Sequence, residues 1–339
     1  KFRDDYIFIY YADGKFNFED KLPPYIKTLR DSDDQVNLET HLNADDKKIH
    51  SPFTDLNTLL LSDALIIETL KNQKIDAIIH IIICSDIEQN ISPRLLIKLR
   101  ENSSIRIFEH CLTSNSCVIN SLTEINCEKN SKLDYFKIID EQKDGYHLNL
   151  SNIKLSKSSV FNLFSWDSGA NISRNNINVD LVEEDATLNL NTLFSPSEKL
   201  HIDNQLKIKH IGEKCESSLD YRGILKDQST GVFGGTVYVD QEAADTQSNM
   251  TNRNLLLSDH ARINTKPVLE IYNEDVQCTH SATSGRLDEE KLFYIQSRGI
   301  GESDAMNILI QSFASELVEK IKNSQMKRTF QEYLFQTLQ

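Results

Sequence analysis

The chain has 339 residues and a formal net charge of −14. This acidic balance argues against a protein that binds nucleic acid or an anionic membrane, because such proteins gather Lys and Arg into patches that replace phosphate counterions. The densest apolar run, residues 75–85, is strand-sized and interrupted by His80, so the sequence predicts no membrane span. The six cysteines form no C-x-x-C pair, which is typical of a reducing compartment rather than of a disulfide framework.

Residues 1–63 are predicted to form a short N-terminal capping or lead-in region. Residues 6–18 (YIFIYYADGKFNF) are rich in β-forming residues and are followed by polar, acidic stretches. Residues 51–70 (SPFTDLNTLLLSDALIIETL) fit a short helix followed by a strand.

Residues 64–285 carry many short segments rich in β-branched and aromatic residues, separated by Asn, Asp, Ser, Lys and Gly clusters. Four segments share one shape, in which two small or polar residues precede alternating apolar ones. Their first apolar residues, Leu133, Val160, Leu188 and Leu219, lie 27, 28 and 31 positions apart. A repeat of this length predicts stacked β turns, each covered by its neighbours.

Two all-β architectures fit these segments. A sandwich or barrel needs tight hairpins, and the chain has only two Asp-Gly pairs, at Asp13-Gly14 and Asp144-Gly145. A parallel β-helix needs no such hairpins, so the pattern favours a mainly β, parallel β-helix core. The ends of such a rod must be capped to prevent aggregation through strand edges.

Residues 286–339 are predicted to form a C-terminal helical domain of three helices. The first begins after Asp288 and ends near Gly299, which is suited to a left-handed stop. The second runs from Ser303 to about Asn323, and the third follows from Gln325. The second carries an apolar stripe that either caps the rod or receives another protein; it comprises Leu309, Phe313, Leu317 and Ile321.

Common catalytic motifs are missing from the sequence, including G-x-S-x-G, the phosphate-binding P-loop and H-E-x-x-H. The pair Gly234-Gly235 is interpreted as a tight bend before a strand rather than as a phosphate cradle. Many β-helix proteins cleave polysaccharides with rows of Asp, Lys and Arg, and no such row recurs here at the repeat period. A carbohydrate-active enzyme therefore stays open as an alternative, as does a purely structural β-helix.

Cys278 and His280 form the one motif with evident ligand chemistry. Residues i and i+2 of a strand lie on the same face, about 6.5 to 7 Å apart. A thiolate and an imidazole suit iron, copper or zinc, but a closed site normally needs four ligands. The pair is therefore ordinary packing, or part of a site whose other ligands come from elsewhere, such as Cys215 and His210 in other turns.

Longer motifs carry a family resemblance. GANISRNNINVDL (residues 169–181) and the stretch from SSLDYRGIL to LFYIQSRGI (residues 217–300) closely resemble the SufB/SufD family of iron–sulfur cluster assembly proteins. The resemblance is strong over about residues 165–325. SufB members carry a cysteine where this chain has Ile295, whereas SufD members carry KC-x-H-GAT, which residues 277–283 match as QCTHSAT. The chain thus resembles the SufD branch, with Gln277 and Ser281 as departures.

The resemblance implies a right-handed parallel β-helix that pairs with a SufB-like subunit and binds a SufC-like ATPase through C-terminal helices. It implies a scaffold rather than an enzyme, in a bacterial cytoplasm or, alternatively, a plastid-type organelle. His280 and Cys278 would lie at the cluster-assembly interface, with His280 as a metal ligand shared with the partner chain. Leu309, Phe313 and Leu317 would bind the ATPase. No tightly bound cofactor is expected; an iron–sulfur cluster would form transiently at the interface, and the isolated chain is a candidate homodimer.

Overall fold

The computed structural model describes residues 5–12, 14–30, 52–85, 90–113, 117–140 and 144–337. The core of the protein is a parallel β-helix of about seven turns, followed by helices at the C-terminal end. The prediction of a mainly β, parallel β-helix with a helical C-terminal part is therefore confirmed.

Nineteen strands and four helices are named in the described ranges. The strands are β1 Tyr6–Ala12, β2 Lys15–Asn17, β3 Ile26–Thr28, β4 Ala64–Glu68, β5 Lys74–Ser85, β6 Arg94–Leu99, β7 Ser104–Thr113, β8 Val118–Cys127, β9 Lys132–Asp140, β10 Tyr146–Leu155, β11 Val160–Asp167, β12 Ile172–Leu181, β13 Thr187–Phe194, β14 His201–His210, β15 Glu216–Leu225, β16 Thr230–Val239, β17 Thr246–Leu256, β18 Arg262–Ile271 and β19 Val276–Gly285. The helices are α1 Pro52–Leu59, α2 Glu289–Gln296, α3 Glu302–Val318 and α4 Ser324–Thr337.

The strands form two sheets that enclose the core. Sheet 1 contains β2, β1 and then the odd-numbered strands from β5 to β19, while sheet 2 contains β3 and the even-numbered strands from β4 to β18. From β4 and β5 onward, neighbouring strands pair in parallel. Two antiparallel pairs, β1–β2 and β3–β4, close the N-terminal end of the rod. The lead-in strand β1 pairs in parallel with β5, so it also belongs to sheet 1. Division of the chain into domains at residues 63 and 285 stays a prediction.

Every turn from β4–β5 to β16–β17 has, at one corner, a residue in the left-handed backbone conformation. The φ angles at this corner lie between 53° and 63°, and short polar side chains tolerate that region best. The positions are 27 to 31 residues apart: Asn72, Asn102, Asn130, Ser158, Asp185, Lys214 and Asp245. The first three stack in a ladder, since the side-chain amide of Asn102 donates to the amide oxygen of Asn72, and that of Asn130 to Asn102, each at 2.9 Å. This corner marks the repeat better than any apolar position.

The four repeated segments do form successive strands of sheet 1, namely β9, β11, β13 and β15. However, the equivalence of their first apolar residues is wrong. Val160 pairs with Lys132, and Phe161 is the residue that pairs with Leu133. A shift of one residue moves a side chain to the opposite face of a sheet. Phe161 lies in the core, whereas Val160 is only half-buried.

The interpretation of Gly234-Gly235 as a tight bend is also wrong, because both residues lie inside β16. A Cβ atom at Gly235 would lie 2.5 Å from the Met250 sulfur, closer than packed atoms approach. Glycine is therefore required at Gly235 for close approach across the core rather than for a turn.

The predicted helices are confirmed. Asp288 caps α2 by accepting hydrogen bonds from the backbone N–H groups of Glu290 and Lys291, each at 3.1 Å, and Gly299 has a φ of 84°. In the helical tail, defined as α2 to α4, the helices α3 and α4 lie along the outer face of sheet 1 rather than across the end of the rod, while α2 has no buried residue. The apolar side chains of α3 and α4 pack against residues of seven odd-numbered strands: Ile78, Phe108, Phe136, Trp166, Leu193, Ile224 and Leu255.

A polar network reinforces this packing. The Arg222 side chain is 1% exposed, and its guanidinium donates to Asp220 and approaches Glu316 Oε2 at 2.8 Å. The Phe313 ring lies 5.4 Å from the same guanidinium. Asp220 also accepts from Lys320 at 2.7 Å. The two β15 charges, Arg222 and Asp220, are thus paired with Glu316 in α3 and with Lys320 just after α3.

We expect Arg222→Leu to lower the free energy of unfolding by about 3 kcal/mol, because it leaves the buried carboxylate of Asp220 without its buried cation. Arg253→Leu is the matched control, since Arg253 contacts the same carboxylate but is 38% exposed; its cost should stay below about 1 kcal/mol. Urea denaturation measures both. Equal losses would show that burial of Arg222 does not decide the strength of the network.

A cluster of aromatic rings joins α4 to the first turns of the rod. The Tyr333 hydroxyl lies 2.7 Å from His110 Nε2, and the His80 ring stacks on Phe108 at 4.4 Å. Burial lowers the pKa of His110 to about 4, and burial together with His110 lowers the pKa of His80 to about 3. Both imidazoles are therefore neutral in the folded protein at pH 7.

The pKa of His110 is lower in the folded protein than in the unfolded chain. The free energy of unfolding therefore does not depend on His110 above about pH 6.5, and it decreases as the pH falls toward 4, because the unfolded chain then binds a proton that the folded protein does not. At pH 5 the free energy of unfolding should be about 2 kcal/mol lower than at pH 7 because of this histidine. We expect His110→Phe to lose less stability than the parent between pH 7 and pH 5 in urea denaturation. Tyr333→Phe, which keeps the imidazole, should retain the pH dependence. An unchanged pH dependence in His110→Phe would contradict the assignment.

Candidate functional site

The candidate site lies on the terminal turn, defined as β18 and β19. These strands are the outermost members of sheet 2 and sheet 1, and within the described ranges no strand pairs with their outer edges. β19 pairs in parallel with β17, with Ser248 opposite Cys278 and Met250 opposite His280. The site therefore lies at an open end of the rod, and Cys278 and His280 share one strand, β19, as the alternating pattern of residues 275–280 predicts.

Cys278 and His280 extend two columns of core side chains. One column runs through Leu133, Phe161, Leu188, Ser217 and Ser248 to Cys278. The other runs through Tyr135, Leu163, Leu190, Leu219 and Met250 to His280. Met250 is completely buried, whereas His280 one turn later is exposed, because no further turn covers it. The structure thus exposes at the rod end two positions that are core positions elsewhere.

The environment of Cys278 is half apolar. Its side chain is half-buried and packs against the core cluster. Partial burial raises the pKa of the Cys278 thiol, although the backbone N–H of Ser248 opposes this by favouring the thiolate. The thiol is therefore protonated at neutral pH until a metal or another electrophile binds it.

Two further candidate ligands, His210 and Cys215, are buried away from the rod end. The His210 ring accepts or donates a hydrogen bond at 2.9 Å with Ser217, whose hydroxyl lies 2.8 Å from that of Ser248. Cys215 donates to the backbone oxygen of Glu183 at 3.1 Å. Neither joins His280, and the described residues contain no group of three or more His, Cys, Asp or Glu placed to hold a metal.

The predicted partner-binding stripe is only partly accessible. Leu317 is 4% exposed and packs against sheet 1, so it is a packing residue in this chain. Phe313 is half-buried above Arg222, and Leu309 is half-buried. Whether this stripe binds a partner stays a prediction. Sequence reasoning missed the large apolar residues of the tail that are exposed, which lie outside the four-residue spacing: Phe293, Tyr294, Ile300, Ile308 and Phe335.

The match to a known family covers the terminal turn and most of the rod. Residues 82–313, from β5 through most of α3, match the family described as SUF system FeS cluster assembly, SufBD core domain. The chain belongs to this SufBD family. The matched residues include the terminal turn with Cys278 and His280, and the resemblance found in the sequence is confirmed.

Named relatives agree with the family. The iron–sulfur cluster assembly protein SufD of Escherichia coli is 33% identical over 232 residues, covering 68% of this chain and 55% of that protein. A SufBD family protein of Synechocystis is 28% identical over 282 residues, or 79% of this chain and 62% of that protein. The chloroplastic protein ABCI7 of Arabidopsis thaliana is 29% identical over 240 residues, or 70% of this chain and 50% of that protein. The chain spans between half and two thirds of the length of these relatives.

The relatives come from bacteria and from a chloroplast, which leaves both predicted compartments in place. Among the described helices, none is long and apolar enough to cross a membrane.

We expect the Cys278 thiol to react with a disulfide reagent more slowly at pH 7.5 than a free cysteine, because its pKa is raised. The rate should still increase through pH 9. Cys278→Ser should remove this kinetic phase, while Cys84→Ser removes that of the other half-buried cysteine. A Cys278 rate that is already constant at pH 7.5 would contradict a raised pKa.

Proposed function

We propose that this SufBD family member is a non-catalytic scaffold subunit of a complex that assembles iron–sulfur clusters. The observation that supports this most directly is the position of the exposed His280 and the half-buried Cys278 together on an edge strand. The two side chains offer sulfur and nitrogen ligands suited to iron.

The open edge supports a protein partner. Unpaired N–H and C=O groups of an edge strand form a template for a strand of another chain, and β19 is ten residues long. We propose that a SufB-like subunit pairs along this edge and completes the ligand set begun by Cys278 and His280. Iron and sulfide would then be the cargo of the shared site, held between two chains. A second copy of this chain could occupy the same edge when the partner is missing.

The helical tail supports a second partner. Phe293 and Tyr294 are 72% and 59% exposed, and α3 next to them carries the accessible Ile308 and Leu309. Aromatic side chains of this exposure are the type that protein interfaces bury most often. We propose that a SufC-like ATPase binds here, and that the Arg222 network carries its movement into β15 and β17, next to β19.

The proposed compartment is a bacterial cytoplasm or a plastid-type organelle. Its reducing conditions suit the free cysteines Cys84, Cys111, Cys117, Cys127, Cys215 and Cys278. 

Co-expression with a SufB-like subunit and a SufC-like ATPase should give a complex that survives gel filtration. We expect His280→Ala to leave this complex intact but to reduce the cluster absorbance of the purified complex at least tenfold, because a ligand is lost. His260→Ala is the control, since His260 is also exposed but lies in the loop before β18. Elution of the chain alone would refute the scaffold proposal. A normal cluster yield in His280→Ala would remove that residue from the site but leave the scaffold role.

A further inference from the structure

An enclosed cavity of about 40 Å³ lies inside the rod, between the two sheets and several turns away from Cys278. Its lining is more polar than that of the surrounding core. On sheet 1 four successive turns contribute one polar side chain each to a single column: Glu109, Lys137, Ser165 and Thr192. On sheet 2 three asparagines of successive turns line the opposite side of the cavity: Asn149, Asn175 and Asn204.

The cavity includes a buried ion pair. Lys137 Nζ lies 3.0 Å from Glu109 Oε1 and donates to Asn149 Oδ1 at 3.0 Å. Tyr135 donates to the second oxygen of Glu109 at 2.5 Å. Burial alone would raise the pKa of Glu109, but the Lys137 charge and the Tyr135 hydroxyl outweigh it and the pKa is lowered. Two charges are thus retained in the interior of the rod.

Three side chains that line the same cavity have a polar atom that makes no well-formed hydrogen bond among the described residues, although Thr123 still interacts with Tyr135 and Tyr221 with Thr192. These atoms are Thr123 Oγ1, Asn204 Nδ2 and the Tyr221 hydroxyl. Each side chain is at most 2% exposed, so bulk water does not reach it. A buried polar atom without a partner is costly, and native proteins satisfy nearly all such atoms with protein or ordered water.

The walls therefore combine an ion pair, three polar atoms without a well-formed hydrogen bond and an enclosed volume. A buried water needs roughly 10–15 Å³ of such volume and two to four polar partners. We propose that this cavity is a built hydration site that holds about three ordered water molecules. These waters bridge Thr123, Asn204 and Tyr221 to the polar columns and hydrate the Glu109–Lys137 pair. The inference stands independently of the proposed function, because it concerns the interior of the isolated chain.

The direct test is a crystal structure of the full chain at a resolution that shows ordered water. Spherical density should occupy the cavity within hydrogen-bonding distance of Asn204 Nδ2 and of at least one of the Thr123 and Tyr221 hydroxyls. An empty cavity would overturn the proposal. Density too large for water, such as a bound anion, would overturn it as well.

A second test uses the sign of a stability change. Thr123→Val keeps the shape of the side chain and removes the hydroxyl. If a water bonds that hydroxyl, we expect the melting temperature to fall by about 2 °C; if the cavity is dry, the loss of an unsatisfied group leaves it unchanged or raises it. Tyr221→Phe should behave in the same way. Thr236→Val, at a half-buried position on the outer face of β16, measures the effect of the same change away from the cavity. A rise or no change in both cavity variants, relative to this control, would refute the hydration site.

Discussion

The parallel hydrogen-bond ladder between successive turns is the constraint on which the molecule depends. Each turn buries its apolar side chains only because another turn lies on either side, in register from β4 and β5 to β18 and β19. A core position therefore exists only where both neighbours are present. Within the described residues no turn follows the terminal one, and the columns that contain Leu219 and Ser217 end there in the exposed His280 and the half-buried Cys278. The site is a product of where the ladder stops.

The helical tail converts one face of this ladder into a second layer. Its apolar side chains cover the outer surface of sheet 1 over many turns, from Phe108 in β7 to Leu255 in β17. The buried pair of Arg222 and Asp220 helps to fix its position, since opposite charges that are shielded from water tolerate little displacement, and the partly exposed Lys320 adds a further bond to Asp220. The tail and the terminal turn are thus mechanically connected through β15 and β17, although no residue of the tail belongs to the Cys278–His280 site.

The sequence was sufficient for the architecture because the repeat length and the lack of hairpin signals both reflect the stacking of turns. It was not sufficient for register, since Val160 and Phe161 are both apolar and either one satisfies a periodic pattern. The helices were predictable from caps such as Asp288 and Gly299, whose chemistry is local. Their placement along sheet 1 was not, because it depends on outward-facing residues such as Trp166 that look like core residues in a sequence. The Cys278–His280 pair was found by strand alternation, whereas its exposure depends on the absence of a next turn in the described ranges.

The repeated left-handed corners bear on how the number of turns in the rod can change during evolution. Because the turns from β4–β5 to β16–β17 each carry their own corner residue and pair only with neighbouring turns, a change in the number of turns leaves the strand pairing of the remaining turns intact. The rod can therefore change in length while its last strand, and the chemistry carried there, stays intact. The place of such a site is therefore set by the last turn of the rod and not by the number of turns before it.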